Sequence, residues 1–335
     1  MKIAFYEASP SDQAYLRNLL AKEHDAVFCP EVLNDDNLSL AADADVLSVF
    51  IYSKVNETVA GRIPRLKCVA TRSTGFDHVD LAFCEGAGIA VQNVPRYGEN
   101  TVAEHAFSLI LALSRNSHKL YTRMMMASEE ISRTGLIGFD LNGKTLGVVG
   151  AGKIGLHVIR IAKGFGMKVI VYSRSKDDFL SDLLGFEYVA FDELLARSDI
   201  ISLHVPLTDD TRHLINKDNI EKIKPGAILI NTARGGVVCN EALTMALDRK
   251  ILAGAGLDAM ESEELVQEEI DPASTERFAD LGGGLGLIYR DNVVFTPHIG
   301  YYSVEALQRI LDTTVANIHA FAAGRVLNPV VRQRK

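Results

Sequence analysis

Two textures alternate along the chain: short apolar runs rich in β-branched residues, and longer stretches in which apolar residues recur every three to four positions. The runs "KIAFYE", "AVFCP", "DVLSVFI", "KCVATRS" and "IAVQNV" read as strands of one α/β unit over about residues 1 to 98. Residues 99 to 126 keep helical spacing with no internal Gly or Pro, which predicts helix throughout. A second strand series follows: "KTLGVVG", "MKVIVYS", "FEYVA", "DIISLHVP", "AILINTA", "LAGAGLDAM" and "NVVFTPH". The tail "SVEALQRILDTTVANIHAFAAG" predicts one long amphipathic helix. Apolar strands separated by helices imply parallel sheets covered on both faces, so the expected class is α/β.

Composition narrows the picture further. A chain of 335 residues suits two domains of ordinary size, and 47% hydrophobic with 23% charged residues is usual for a globular protein. The net charge of −8 argues against a nucleic-acid binder, which needs a basic surface to neutralise phosphates. The opening "MKIAFYEASP" lacks the pattern of a secretory signal, and no apolar run approaches a membrane span. Cys29, Cys68, Cys84 and Cys239 lie far apart without CxxC or metal-ligand spacing. Reduced thiols, no metal site and a cytoplasmic location are expected.

Gly150, Gly152 and Gly155 fit G-x-G-x-x-G between the strand "KTLGVV" and a helical stretch, the context that makes the pattern a strong sign of dinucleotide binding. The first glycine permits the tight turn, the second lets backbone approach a pyrophosphate, and the third brings helix and strand together. A second cluster, "LGGGLG" at 281 to 286, follows no clear strand and reads as a mobile surface loop. Ligands of such folds sit beyond the carboxyl ends of the strands. Three of those ends carry chemistry: Arg234 in "NTARGG", Asp258 with several glutamates in "LDAMESEE", and His298 in "TPHIGYY". A guanidinium fork grips a carboxylate, and a histidine supported by a carboxylate carries the proton that accompanies hydride onto a ketone oxygen. Together they suit reduction of a 2-oxoacid. His204 in "SLHVP" also closes a strand, and periodicity does not rank it against His298.

The segments "TRSTGFDHVDL", "NVPRYGENTVAEHAF", "LGVVGAGKIG", "DIISLHVPLT", "LINTARGG", "GLDAMESE" and "NVVFTPHIGYY" occur in an order and approximate spacing that resemble the D-isomer-specific 2-hydroxyacid dehydrogenases, most of all the members acting on D-lactate. The resemblance covers nearly the whole chain. It implies two doubly wound parallel-sheet domains with the active site in the cleft: a flavodoxin-like substrate domain (1–98, with 299–335 returning to it) and a Rossmann cofactor domain (99–298). Gly98 and Gly300, at the crossings, would serve as hinges. A homodimer joined through the helix after the first crossing is implied as well.

By the same resemblance, Arg234 binds the substrate carboxylate, His298 is the acid/base and Glu263 pairs with it, with Glu261 and Glu264 as rivals for that last role. Ser73, Thr74 and Gly75 correspond to a loop that binds the carboxylate through backbone N–H groups, while Tyr97, Tyr301 and Tyr302 correspond to pocket residues. The cofactor would meet Gly150, Gly152, Lys153, Ile154 and Gly155 at the turn, and Ser173, Arg174 and Ser175 after the next strand. Further along, it would meet His204, Val205, Pro206 and Thr211, then Thr232, Ala233 and Arg234, and finally Asp258, His298 and Gly300. Ser173, eighteen residues after Gly155, stands where members preferring NAD usually place a ribose-binding aspartate. With Arg174 and Lys176 beside it, the expectation is NADP(H), NAD(H) being the alternative.

Pyruvate going to D-lactate is the favoured reaction; hydroxypyruvate, glyoxylate and larger 2-oxoacids are alternatives. Formate dehydrogenases share the fold but carry glutamine where Glu263 stands. Redox-responsive co-repressors share the catalytic residues yet act as scaffolds. The short tail and the lack of low-complexity sequence count against that second class.

Overall fold

The computed structural model describes residues 1–20, 23–126, 132–261 and 284–330. Chain contacts divide it into two compact units, one of residues 1–97 with 303–335 and one of residues 98–302.

The first unit is a five-stranded sheet built from β1 (Lys2–Phe5), β2 (Asp25–Phe28), β3 (Val46–Val49), β4 (Cys68–Thr71) and β5 (Ala90–Gln92). All pairings are parallel and the order is β2-β1-β3-β4-β5, the flavodoxin-like arrangement. Alternate residues of each strand feed opposite faces, and both faces are apolar. Ala4, Leu47, Val49, Val69 and Val91 pack on one side. Ile3, Phe5, Val46, Cys68 and Ala70 pack on the other, against α1 (Pro10–Leu20) through Leu16 and Leu20. The chain's last long helix closes that same face with Leu311, Val315 and Ile318.

The second unit opens with α4 (Glu99–Arg115), after the short helices α2 (Glu57–Ala60) and α3 (Leu81–Gly86) of the first. The helix expected over 99 to 126 is two helices. Asn116 adopts a left-handed conformation (φ 51°), its N–H caps Ala112 and Leu113, and α5 (Ser117–Met126) starts anew. Asparagine tolerates this conformation better than other non-glycine residues, so apolar spacing runs through a real stop.

Seven parallel strands follow: β6 (Thr145–Val149), β7 (Lys168–Tyr172), β8 (Glu187–Tyr188), β9 (Ile200–Leu203), β10 (Ala227–Asn231), β11 (Leu252–Leu257) and β12 (Val293–Phe295). Their order is β12-β11-β10-β9-β6-β7-β8, a doubly wound sheet whose strand order reverses between β6 and β9. Leu146, Val148, Ile228 and Ile230 face α4 and α6 (Lys153–Gly164). Val149, Ile201, Leu203 and Leu229 face the other core. The helices α7 (Asp178–Leu184), α8 (Phe191–Arg197) and α9 (Asn240–Asp248) complete the cover, and α10 (Val304–Ala322) is the long helix that belongs to the first unit.

Of the glycine cluster at 281 to 286, residues 281–283 lie outside the described residues. Gly284–Leu287 forms a 3₁₀ turn, and Leu287, the residue just after the cluster, is buried in the core (1% exposed). Among the described residues no helix is long and apolar enough to cross a membrane.

Candidate active site

The sheet reversal puts the carboxyl ends of β6 and β9 side by side, and the glycine turn sits there. Gly150 has φ 100°, and a Cβ on it would lie 2.5 Å from the His204 carbonyl oxygen. A Cβ on Gly155 would lie 2.0 Å from the Gly150 carbonyl oxygen, so the turn folds this tightly only with glycine at both positions. Gly152 is the N-cap of α6, makes no side-chain cap, and has open space where a Cβ would stand. The start of a twelve-residue helix thus presents uncapped N–H groups to an open concavity, the arrangement that receives a phosphate.

Among the described residues two buried polar atoms along the same edge lack a partner: His204 Nδ1 and Thr232 Oγ1. Buried polar groups are normally satisfied, so orphans at the ends of neighbouring strands mark a surface completed by something bound. The cradle fits a dinucleotide. Nearby, Thr211 donates its hydroxyl proton to the Pro206 carbonyl (2.6 Å), fixing the loop that also carries Val205. Lys153 stands 4.0 Å from Glu99. Ser173 is half-buried at the end of β7, while Arg174, Ser175 and Lys176 are exposed. Among the described residues the Arg174 and Lys176 side chains make no hydrogen bond or ion pair.

The two rival histidines differ physically. The His204 ring nitrogens are shut off from water although the residue is partly exposed; Nε2 meets Ser202 Oγ at 2.8 Å, and burial pushes the imidazole pKa down to about 3. His298 is half-buried with φ 54°, a left-handed conformation that costs a non-glycine residue roughly 1–2 kcal/mol. What holds it there is Asp258, at the end of β11 and 3% exposed. The Asp258 carbonyl accepts the His298 N–H (2.9 Å). Its carboxylate accepts Thr296 Oγ1 (2.6 Å) and the N–H groups of Ile299 (2.9 Å) and Gly300 (2.8 Å). His105 on α4 reaches the same centre, with Nε2 2.9 Å from Thr296 Oγ1 and 3.3 Å from Asp258 Oδ1. Since the threonine proton goes to Asp258, His105 must donate to the threonine oxygen. Burial alone would raise the Asp258 pKa, but the hydrogen bonds from His105 and Thr296, the His105 charge and the Gly300 N–H outweigh it and hold the carboxyl below its ordinary value.

Arg234 is half-buried in the turn after β10, its Nη1 donating to the Ala233 carbonyl (2.9 Å). Asn231 braces the turn: Nδ2 donates to the carbonyls of Arg234 and Ala259 (3.0 Å each), and Oδ1 accepts from Ala233 N (3.1 Å). A Cβ on Gly235 would lie 2.2 Å from the Met260 backbone, so this turn lies flat against the strand end that leads toward the glutamates. Glu261 is fully engaged: Oε1 accepts from His213 Nε2 (2.5 Å) and Oε2 from Asn240 N (3.1 Å). Both oxygens are therefore spent on His213 and Asn240 in this structure. Glu263 and Glu264 lie outside the described residues.

In the first unit, the loop after β4 pairs three successive carbonyls within the protein. Ser73 O accepts from Val94 N (3.0 Å), Thr74 O from Asn93 Nδ2 (2.8 Å) and Gly75 O from Ser73 Oγ (2.6 Å). Among the described residues the Thr74 and Gly75 N–H groups meet no protein acceptor, as an anion-binding loop requires. Buried Arg72 anchors the loop on Tyr6 O (2.6 Å), Glu7 O (2.8 Å) and Ser48 Oγ (3.0 Å). The Tyr97 carbonyl accepts from Arg309 Nε (2.7 Å). Tyr301 and Tyr302, in the second unit, meet edge to face at 5.9 Å, and Tyr302 is 65% exposed.

A doubly wound dinucleotide unit, a flavodoxin-like unit and an Arg/His set at strand ends define a nicotinamide-dependent oxidoreductase acting on 2-hydroxy acids. The chain belongs to the D-isomer-specific 2-hydroxyacid dehydrogenases: the description "D-isomer specific 2-hydroxyacid dehydrogenase, NAD binding domain" matches residues 107–300. A 2-hydroxyacid dehydrogenase homolog of Haemophilus influenzae is 36% identical over 334 residues, 99% of each chain. A glyoxylate reductase of Pyrococcus furiosus is 36% identical over 303 residues, 88% of this chain and 84% of that one. The crystal structure of D-lactate dehydrogenase from Aquifex aeolicus complexed with NAD and lactic acid is 36% identical, with a TM-score of 0.86, covering 99% of this chain and 100% of that one.

Sequence reasoning missed His105 and Thr296. Both lie inside quoted motifs, "NTVAEHAF" and "FTPH", but the signal that joins them to Asp258 is tertiary.

Proposed function

We propose that the enzyme interconverts pyruvate and D-lactate, with other small 2-oxoacids as secondary substrates. The observation that carries this reading is the grip of Asp258 on the 296–300 loop, which holds His298 at a strand end with the Tyr301–Tyr302 pair directly after it. A bound nicotinamide supplies or takes up the hydride at C2. His298 delivers the proton to the ketone oxygen, and Glu263 supports the imidazolium. Arg234 holds the carboxylate through its guanidinium fork, and the family resemblance gives the Thr74 and Gly75 N–H groups the same ligand. Turnover over a panel of 2-oxoacids tests the reading. Pyruvate should give the highest kcat/KM and yield the D product, whereas a higher value for glyoxylate or hydroxypyruvate would move the assignment within the family.

Arg234→Lys should raise KM for the oxoacid and lower kcat together, although charge is kept, because an ammonium cannot make the bidentate contact. Steady-state kinetics check this. Wild-type values for the lysine variant would make Arg234 structural.

For the cofactor, we read a preference for NADP(H). Ser173 removes the charge that would repel a 2′-phosphate, and exposed Arg174 and Lys176 stand beside it. Arg174→Ala should cost about 1.5–3 kcal/mol with NADPH, roughly 10- to 150-fold in kcat/KM, and leave NADH little changed. Ser173→Asp should shift preference away from NADPH toward NADH by like-charge repulsion. A wild type that prefers NADH and ignores Arg174→Ala would overturn the reading. We further read a cytoplasmic homodimer: the four cysteines are free, and α4 is the helix that the family resemblance puts at the dimer contact. Light scattering at assay concentration reports the oligomer directly.

A further inference from the structure

At the amino end of the first unit's sheet, three metal-ligating side chains converge from two distant parts of the chain. After α1 the backbone turns, with Glu23 N and His24 N both donating to the Leu20 carbonyl (3.0 and 2.9 Å), and β2 begins at Asp25. The Ser73–Gly75 loop follows the carboxyl end of β4 in the same parallel sheet, so the cluster and that loop occupy opposite edges. Across from the turn stands His319 in the last turn of α10. The His24 and His319 rings are 5.4 Å apart between centroids, and His319 Nδ1 lies 3.3 Å from Glu23 Oε2. One ligand atom from each of Glu23, His24 and His319 can be chosen so that all lie within 4.8 Å of one another.

A second observation is independent of this clustering. Both ring nitrogens of His24 are buried, and among the described residues neither has a hydrogen-bond partner. An imidazole carries at least one donor or lone pair on each nitrogen, so leaving both unsatisfied is costly unless something else occupies the space. We propose that His24, His319 and Glu23 form a site for a borderline divalent cation of the Zn²⁺ class, with water completing the coordination.

The geometry suits such an ion. Bonds of roughly 2.0–2.1 Å in a tetrahedral shell put neighbouring ligand atoms about 3.3 Å apart. The Glu23–His319 pair already has that separation, and a His24 nitrogen lies within 4.8 Å of both, close enough for a ring rotation to bring it into the shell. Bound there, the ion would tie the turn after α1 to the end of α10, securing the returning helix on its sheet.

The test uses untagged, full-length protein stripped with EDTA and titrated with ZnCl₂ by calorimetry, with Co²⁺ as a spectroscopic probe. One equivalent of Zn²⁺ should bind, Tm should rise with Zn²⁺ concentration, and Co²⁺ should give visible absorption. Glu23→Gln and His319→Gln, at exposed and half-exposed positions, should each weaken binding at least tenfold while leaving the metal-free Tm unchanged. Absence of Zn²⁺ uptake by the wild type, or uptake that both variants retain undiminished, would overturn the site.

Discussion

His298→Ala is expected to lower the rate of 2-oxoacid reduction by roughly 10²–10⁴-fold, the usual loss when a positioned acid is removed. His204→Gln should behave differently. The His204 pKa near 3 keeps the ring neutral throughout the working range, and its Nε2 is committed to Ser202, so it does not supply the imidazolium that an acid in this step requires. Its ring borders the dinucleotide cradle instead, and the change should appear in cofactor KM with kcat retained at saturation. Stopped-flow single turnovers with saturating cofactor separate the two effects. An inactive His204→Gln beside a near-normal His298→Ala would reverse the assignment.

This contrast shows where sequence reading reaches its limit. The strand-like runs each form a strand, because a strand buried on both faces is a continuous apolar run whose signal is local. The glycine turn was equally legible, since a strand, three glycines and a helix in succession leave few other uses. His204 and His298 each end a strand, and only tertiary burial distinguishes a shielded ring from one held at the open edge. Asn116 hid a helix break because the apolar spacing continues on both sides of it. Glu261 and Glu263 could not be ranked by position, yet the bonds from His213 and Asn240 commit the first elsewhere. Glu23 and His24 lie nearly three hundred residues from His319, so their meeting depends on the last helix returning to the first sheet.

Asp258→Asn is expected to damage both stability and turnover, for one reason. The carboxylate receives Thr296, Ile299, Gly300 and His105, and an amide offers one oxygen where there were two while turning a donor toward donors. Each buried donor left without an acceptor costs about 1–3 kcal/mol, so Tm should fall by several degrees. The loop from Thr296 to Gly300 would then lose the anchor that keeps His298 at φ 54°, and a misplacement of about 1 Å can cost roughly 10²-fold in kcat. The pH dependence has a definite sign. The folded Asp258 pKa lies below its unfolded value of about 3.9, so its stabilisation is complete above that value and is lost as pH falls through the lower folded one. The stability gap between wild type and Asp258→Asn should therefore be widest near neutrality and close on acidification below about pH 4. Urea melts at several pH values measure that gap, and His105→Gln, which keeps a donor on Thr296, should reproduce a smaller version of it. A gap independent of pH, or a variant with wild-type Tm and kcat, would mean that the 296–300 loop is held by something other than Asp258.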